Sequence, residues 1–148
     1  MHFADYYYFV ENDHLHLPDQ KRYLIEGLKE FDLVTLYDHP DKYTKQYSQL
    51  RSRIVATRAG YFRSIPSTVM TFALSRGTLE ALQNIFLNSE YTSPNLDYPR
   101  DHELFKQITA LGYTLGSCMP GRTTHCELTG LSPYVDWVSL AKEISKTC

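Results

Sequence analysis

Two histidines one residue apart, His14-Leu15-His16, are the first residues whose types and spacing suit chemistry. In an extended strand, side chains two apart project from the same face. Both imidazoles would then meet one metal ion, with Asp13 or His39 as a further ligand. Cys118, His125 and Cys126 form a second group, in which a hairpin would carry Cys118 toward the other two. His125 and Cys126 are neighbours and point to opposite faces of a strand, and a structural zinc would have to recruit His102 or Cys148 to reach four ligands. The polar face of an edge hairpin and small buried cysteines account for both groups, so no metal and no catalytic residue is assigned. Glu127 and Asp97 are conceivable acid–base carboxylates, and solvated faces explain them equally well.

A third candidate is a run of charge. Lys42, Lys45, Arg51, Arg53, Arg58 and Arg63 fall in one segment that holds no acidic residue, within a chain of net charge −2. Tyr43, Tyr47, Tyr61 and Phe62 are interleaved with them. Cationic side chains neutralise phosphates and aromatic rings stack bases; the same charges would recognise an acidic protein surface. The favoured reading is therefore a small non-catalytic binding protein of the inhibitor, immunity or regulatory kind, without a cofactor. Its basic face would engage an acidic protein or a nucleic acid.

The elements that must position these residues follow from periodicity. Helices are expected over Pro18–Phe31, Lys42–Thr57, Thr78–Leu87, Asp101–Leu111 and Asp136–Lys146. In the second, Tyr43, Tyr47, Leu50 and Ile54 would form the inner stripe, with the basic residues beside it. Strands are expected over Phe3–Val10, His14–Leu17, Leu33–Tyr37 and Thr68–Leu74, and Gly60–Ile65 reads as a loop or short strand. The first two would pair as a hairpin across Glu11-Asn12-Asp13. Tyr113–Met119 and Thr124–Leu131 would pair as another across Pro120-Gly121-Arg122. Ser75-Arg76-Gly77-Thr78 reads as a loop, with Thr78 as helix N-cap, and Asn88–Pro99 as a polar connector. The expected fold is a single α+β domain spanning residues 1–148: a mixed or antiparallel sheet of about five strands with four or five helices.

Composition narrows the class. Hydrophobic residues make up 43% and charged residues 22%, an ordinary globular balance. No apolar run reaches the roughly 18–20 residues of a membrane helix. The first residues lack the basic start and apolar core of a secretion signal. Three widely spaced cysteines argue against a disulfide framework. A cytoplasmic location is the expectation.

Two short resemblances add to this. The stretches TVMTFALSRGTLEALQNIF, HELFKQITALGYTLGSCMPG and THCELTGLSP resemble the GNAT N-acyltransferases, notably the tail of acyl-homoserine-lactone synthases, over Thr68–Pro133. That resemblance implies an acyl-CoA-dependent transfer in which Arg76, Gly77 and Thr78 bind the pyrophosphate, although this loop has one glycine. His14-Leu15-His16 resembles the His–hydrophobe–His element of rolling-circle nucleases, with Tyr43 and Tyr47 at the spacing of their paired tyrosines.

Overall fold

The structure, a computed structural model, describes residues 4–88 and 100–146. Its central strand is β3, Leu33–Thr35, with all three residues buried. A short apolar run buried on both faces belongs inside a sheet. The other strands are β1 (Tyr6–Phe9), β2 (His14–His16), β4 (Ile54–Ala56), β5 (Tyr61–Ser64), β6 (Phe72–Ser75), β7 (Leu115–Met119) and β8 (Thr123–His125). The helices are α1 (Gln20–Gly27), α2 (Arg76–Asn88), α3 (Arg100–Ala110) and α4 (Trp137–Ser145). Six strands form a mixed sheet in the order β1-β6-β3-β7-β5-β4, and β2 and β8 form a separate two-stranded ribbon. Only the β3–β7 pair is parallel among these. The expected α+β class is therefore the one the chain adopts.

Alternation along β3 divides the core between two faces. Leu33 packs with Phe72, Leu74, Leu115 and the inner residues of α2 and α3, namely Leu82, Leu104, Phe105 and Ile108. Val34 and Leu36 pack on the other face with Leu24 of α1, Phe31, Phe62, Ala73 and Cys118. Glycine lets elements close up here. A Cβ on Gly116 of β7 would lie 2.5 Å from the Phe31 ring, and one on Gly27 would lie 2.8 Å from Phe62. Gly27 thus ends α1 where the helix presses on the sheet.

α2 and α3 turn Leu82, Leu104, Phe105 and Ile108 inward while Leu111 is exposed, and α1 ends at Gly27, short of the expected Phe31. In α4 only Trp137 is buried, while Ala141 and Ile144 face solvent. Asp136 caps that helix by accepting from the Ser139 amide at 3.0 Å. α2 begins at Arg76, directly after β6, so no loop separates strand from helix. Ser75 rather than Thr78 supplies the cap, its hydroxyl accepting from the Thr78 amide at 3.1 Å. β6 starts at Phe72, four residues later than the expected Thr68. Residues 89–99, the expected connector, lie outside the described residues.

Both expected hairpins are corrected. β1 pairs with β6, and β2 with β8. β7 pairs with β3 and β5. The turn at 120–122 forms, but it carries the chain off the sheet: the Arg122 and Thr123 amides both donate to Leu36 O, at 2.7 and 3.1 Å. The helix expected over Lys42–Thr57 does not form. Pro40–Tyr43 and Lys45–Tyr47 are single 3-10 turns, and Ile54–Ala56 is strand β4 on the edge beside β5. Tyr43 and Ile54, expected inward, are 45% and 55% exposed. β-Branched Ile54 and Val55 find pairing partners in Arg63 and Phe62, and that non-local ladder outweighs a weak local helix preference.

Gly116→Ala should lower unfolding free energy by about 1–3 kcal/mol through overpacking against Phe31. Urea titration checks it; an unchanged midpoint would contradict the close approach.

Candidate metal centre and its adjoining cleft

The β2–β8 ribbon is hung on the end of β3. Beyond Thr35 the chain stays buried through Asp38, and Tyr37 bridges in parallel to Thr123. Asp38 is held by Arg63 and by the Tyr43 hydroxyl, each at 2.5 Å. Its backbone is clasped by Ser132, whose hydroxyl accepts from the Asp38 amide at 3.1 Å and donates to the Asp38 carbonyl at 2.8 Å. Burial pushes the Asp38 carboxyl up, and Tyr43 and Arg63 oppose this.

On this support the ribbon register sets His14 directly across from His125. Their rings meet edge to face at 5.4 Å. The turn after β1 adds Asp13, and ligand atoms of Asp13, His14 and His125 all lie within 4.8 Å of one another. Asp13 lies 2.9 Å from His125 Nε2. Glu11 lies 3.6 Å from His14 Nε2, and its carboxylate also receives the Thr71 hydroxyl at 3.4 Å.

His14 is the distinctive member. Its side chain has no solvent exposure, and its Nε2 has no hydrogen-bond partner. Nδ1 faces Thr123 Oγ1 at 3.4 Å, and that hydroxyl already donates to Leu15 O at 2.8 Å. Thr123 Oγ1 therefore accepts, the proton sits on Nδ1, and Nε2 presents a bare lone pair, the tautomer a metal ligand needs. Burial, then the charge of His125, pushes the His14 imidazole down to about 4, so it is neutral at neutral pH. Burial, then the charges of Asp13 and Asp101, raises the Glu11 carboxyl. Carboxylates gathered beside the neutral His14 imidazole form a site that a divalent cation would relieve.

Next to this centre is a cleft of about 280 Å³ whose walls include His39, Asp41, Lys42, Ser67, Asp101 and His102. Tyr37 links the two sites, its ring 5.2 Å from His14 and 5.1 Å from His39. Asp101 stands at the first turn of α3, its carboxyl raised by burial against the pull of His102 and His39. Ser67 Oγ lies 2.9 Å from His102 Nδ1.

The structure thus divides both the His14–His16 group and the Cys118–His125–Cys126 group. His16 is engaged by the Tyr8 hydroxyl at 2.8 Å and stays outside the cluster. Cys118 lies buried in β7 opposite Phe62, its thiol pushed up to about 12 by burial. Cys126 is exposed. Cys148 and Asp97 lie outside the described residues. Glu127 is exposed before a 3-10 turn.

The basic segment is dispersed. Lys42 is buried and paired with Asp41 at 2.9 Å, and Arg63 is buried against Asp38. Lys45, Arg51, Arg53 and Arg58 are exposed, with Arg53 lying over Phe31 at 5.0 Å. Tyr43 and Tyr47 sit in separate 3-10 turns. At the start of α2, the Arg76 amide already donates to Asp5 O at 2.8 Å and the Thr78 amide to Ser75, which leaves Gly77 between two occupied amides. Glu11 and Asp101, which sequence reasoning read only as part of a turn and as a helix start, are the acidic residues it missed. Glu11-Asn12-Asp13 directly after an apolar strand was the available signal.

No family model, curated protein or solved structure matches the chain. No helix among the described residues is long and apolar enough to cross a membrane.

The His14 shift fixes an acid response. Its folded value near 4 lies below its ordinary 6.5, so between these values the unfolded chain holds a proton that the folded chain refuses. The stability it contributes is complete above about pH 6.5 and is lost as pH falls toward 4. Metal-free protein, unfolded by urea at stepped pH, should weaken across this window. His14→Phe should flatten the slope; an unaltered slope would count against a buried neutral imidazole.

Proposed function

We propose that this chain carries a divalent-metal-dependent group-transfer site. The observation that carries the reading is the buried, unpartnered Nε2 of His14 converging with Asp13 and His125. A buried polar atom without a partner is costly, and a cation shared with two further ligands satisfies it. Two imidazoles and a carboxylate, with Glu11 at hand as a second carboxylate, suit a first-row divalent ion such as manganese or zinc. Bound there, the cation would supply Lewis-acid stabilisation to an anionic oxygen of a phosphate- or diphosphate-bearing donor.

The chain's own residues supply the rest. His14 closes the inner side of the site, while Asp13, with its side chain 48% exposed, leaves the outer side open to a donor. Asp101, its carboxyl raised and set in the cleft wall, is the base that takes the proton from an attacking hydroxyl. In the transfer, the hydroxyl oxygen bonds to the transferred group, the bond from that group to the phosphate oxygen breaks, and the electron pair leaves with the phosphate. The dispersed basic residues and the occupied amides at Arg76–Thr78 give less support to the binding-protein and acyl-CoA readings, each of which needs its residues free and together.

Calorimetric titration of the full chain with Mn2+ and with Zn2+ should reveal one site. Asp13→Asn and His125→Ala should each weaken it by about tenfold or more. Pyrophosphate should bind only with the metal present. Wild-type protein that binds neither ion, or variants that bind as tightly as wild type, would overturn the reading.

A further inference from the structure

We infer that the cleft beside the proposed metal centre is a subsite for a small uncharged polyhydroxylated molecule, a single sugar ring or its equivalent, that supplies the attacking hydroxyl. This rests on the transfer reading and names its acceptor class. The cleft, about 280 Å³, sits at the small end of ligand pockets, which run from about 300 to 1,000 Å³. Its walls mix apolar and polar surface, which suits both the carbon skeleton and the hydroxyls of a sugar ring.

The Lys42 charge in the cleft is already matched by Asp41. Lys42 Nζ donates to both Asp41 oxygens, at 2.9 and 3.1 Å, and lies 4.2 Å from the centre of the Tyr47 ring. His39 Nδ1 lies 2.8 Å from the same Asp41 carboxylate. A free phosphate or carboxylate would have to compete with Asp41 for the Lys42 ammonium and would face Asp101 as well. A neutral ligand meets no such opposition.

What remains is an alternation of donors and acceptors around one small space. Gln46 offers both an amide donor and a carbonyl, the Ser67–His102 pair offers a hydroxyl, and Asp41 and Asp101 offer acceptor oxygens. Each hydroxyl of a polyol donates one hydrogen bond and accepts two, which suits this mixture where a pure donor or pure acceptor would not. Thr68 supplies a second, independent sign. It is 6% exposed, lines the cleft, and its hydroxyl has no partner in the protein. Tyr37 ties the cleft to the chemistry, its ring 5.2 Å from His14 of the metal cluster and 5.1 Å from His39 of the cleft wall.

The test is saturation-transfer NMR on the full chain with a panel of methyl hexosides, alongside inorganic phosphate and benzoate as anionic and apolar probes. At least one hexoside should bind saturably, and phosphate and benzoate should not displace it. Gln46→Ala, at an exposed position, and Thr68→Val, which keeps the side-chain shape, should each weaken binding by about fivefold or more, the loss of one hydrogen bond. Mn2+ affinity, titrated on the same samples, should be unchanged in both. No binding by any hexoside, displacement by phosphate, or variants that bind as wild type would overturn the subsite. The metal titration is read separately: hexoside binding without metal binding strikes the transfer reading and upholds the subsite, and the reverse strikes the subsite alone.

Discussion

A carboxylate with no access to water, Asp38, is the constraint on which the working end of this molecule depends. It sits just past the central strand, gripped by Arg63 from β5, two strands away across β7, and by Tyr43 from the first 3-10 turn. Ser132 locks its backbone from the far end of the chain. Burying such a pair yields little net stability, but removing one partner strands a charge and typically costs about 3–5 kcal/mol. The pair therefore acts as a specifier. It holds Leu36–Asp38 straight, so that Leu36 O can receive Arg122 and Thr123 and Tyr37 can stand between His14 and His39.

From that fixed segment the polar chemistry of the chain gathers in one place. The ribbon of β2 and β8 brings residues 14 and 125 face to face, and the exit from β1 adds Glu11 and Asp13. α3 enters with Asp101 and His102 at its first turn. The charges of Asp13 and Asp101 both act on Glu11, and His125 partly offsets them. Like charges held this close are unfavourable without a counter-ion, and structures sustain them mainly where function uses them.

The segment from Lys42 to Arg63 shows how a local signal misleads. Tyr43, Tyr47, Leu50 and Ile54 recur at steps of four, three and four, which reads as a helix stripe. The same residues instead pass through two short turns and an edge strand, because β5 has an open edge that Ile54–Ala56 completes. Helix propensity differs by only tenths of a kcal/mol per residue among ordinary residues, less than the pairing and burial on offer. With the helix gone, its basic residues are dispersed: Lys42 and Arg63 turn inward to partners that spacing could not identify, while Lys45, Arg51, Arg53 and Arg58 stay exposed.

By itself the sequence determined the α+β class, the existence of α1, α2, α3 and α4 and the strand that begins at Leu33. These rest on interactions within a few residues, whose period is written along the chain. It also marked His14 and His125 as residues able to hold a metal, but placed them in different groups. Their meeting was decided by tertiary structure alone, because β2 took β8 as its partner rather than β1. Strand pairing is set by burial and edge completion across more than a hundred residues of chain, and no local spacing encodes which edge will be free.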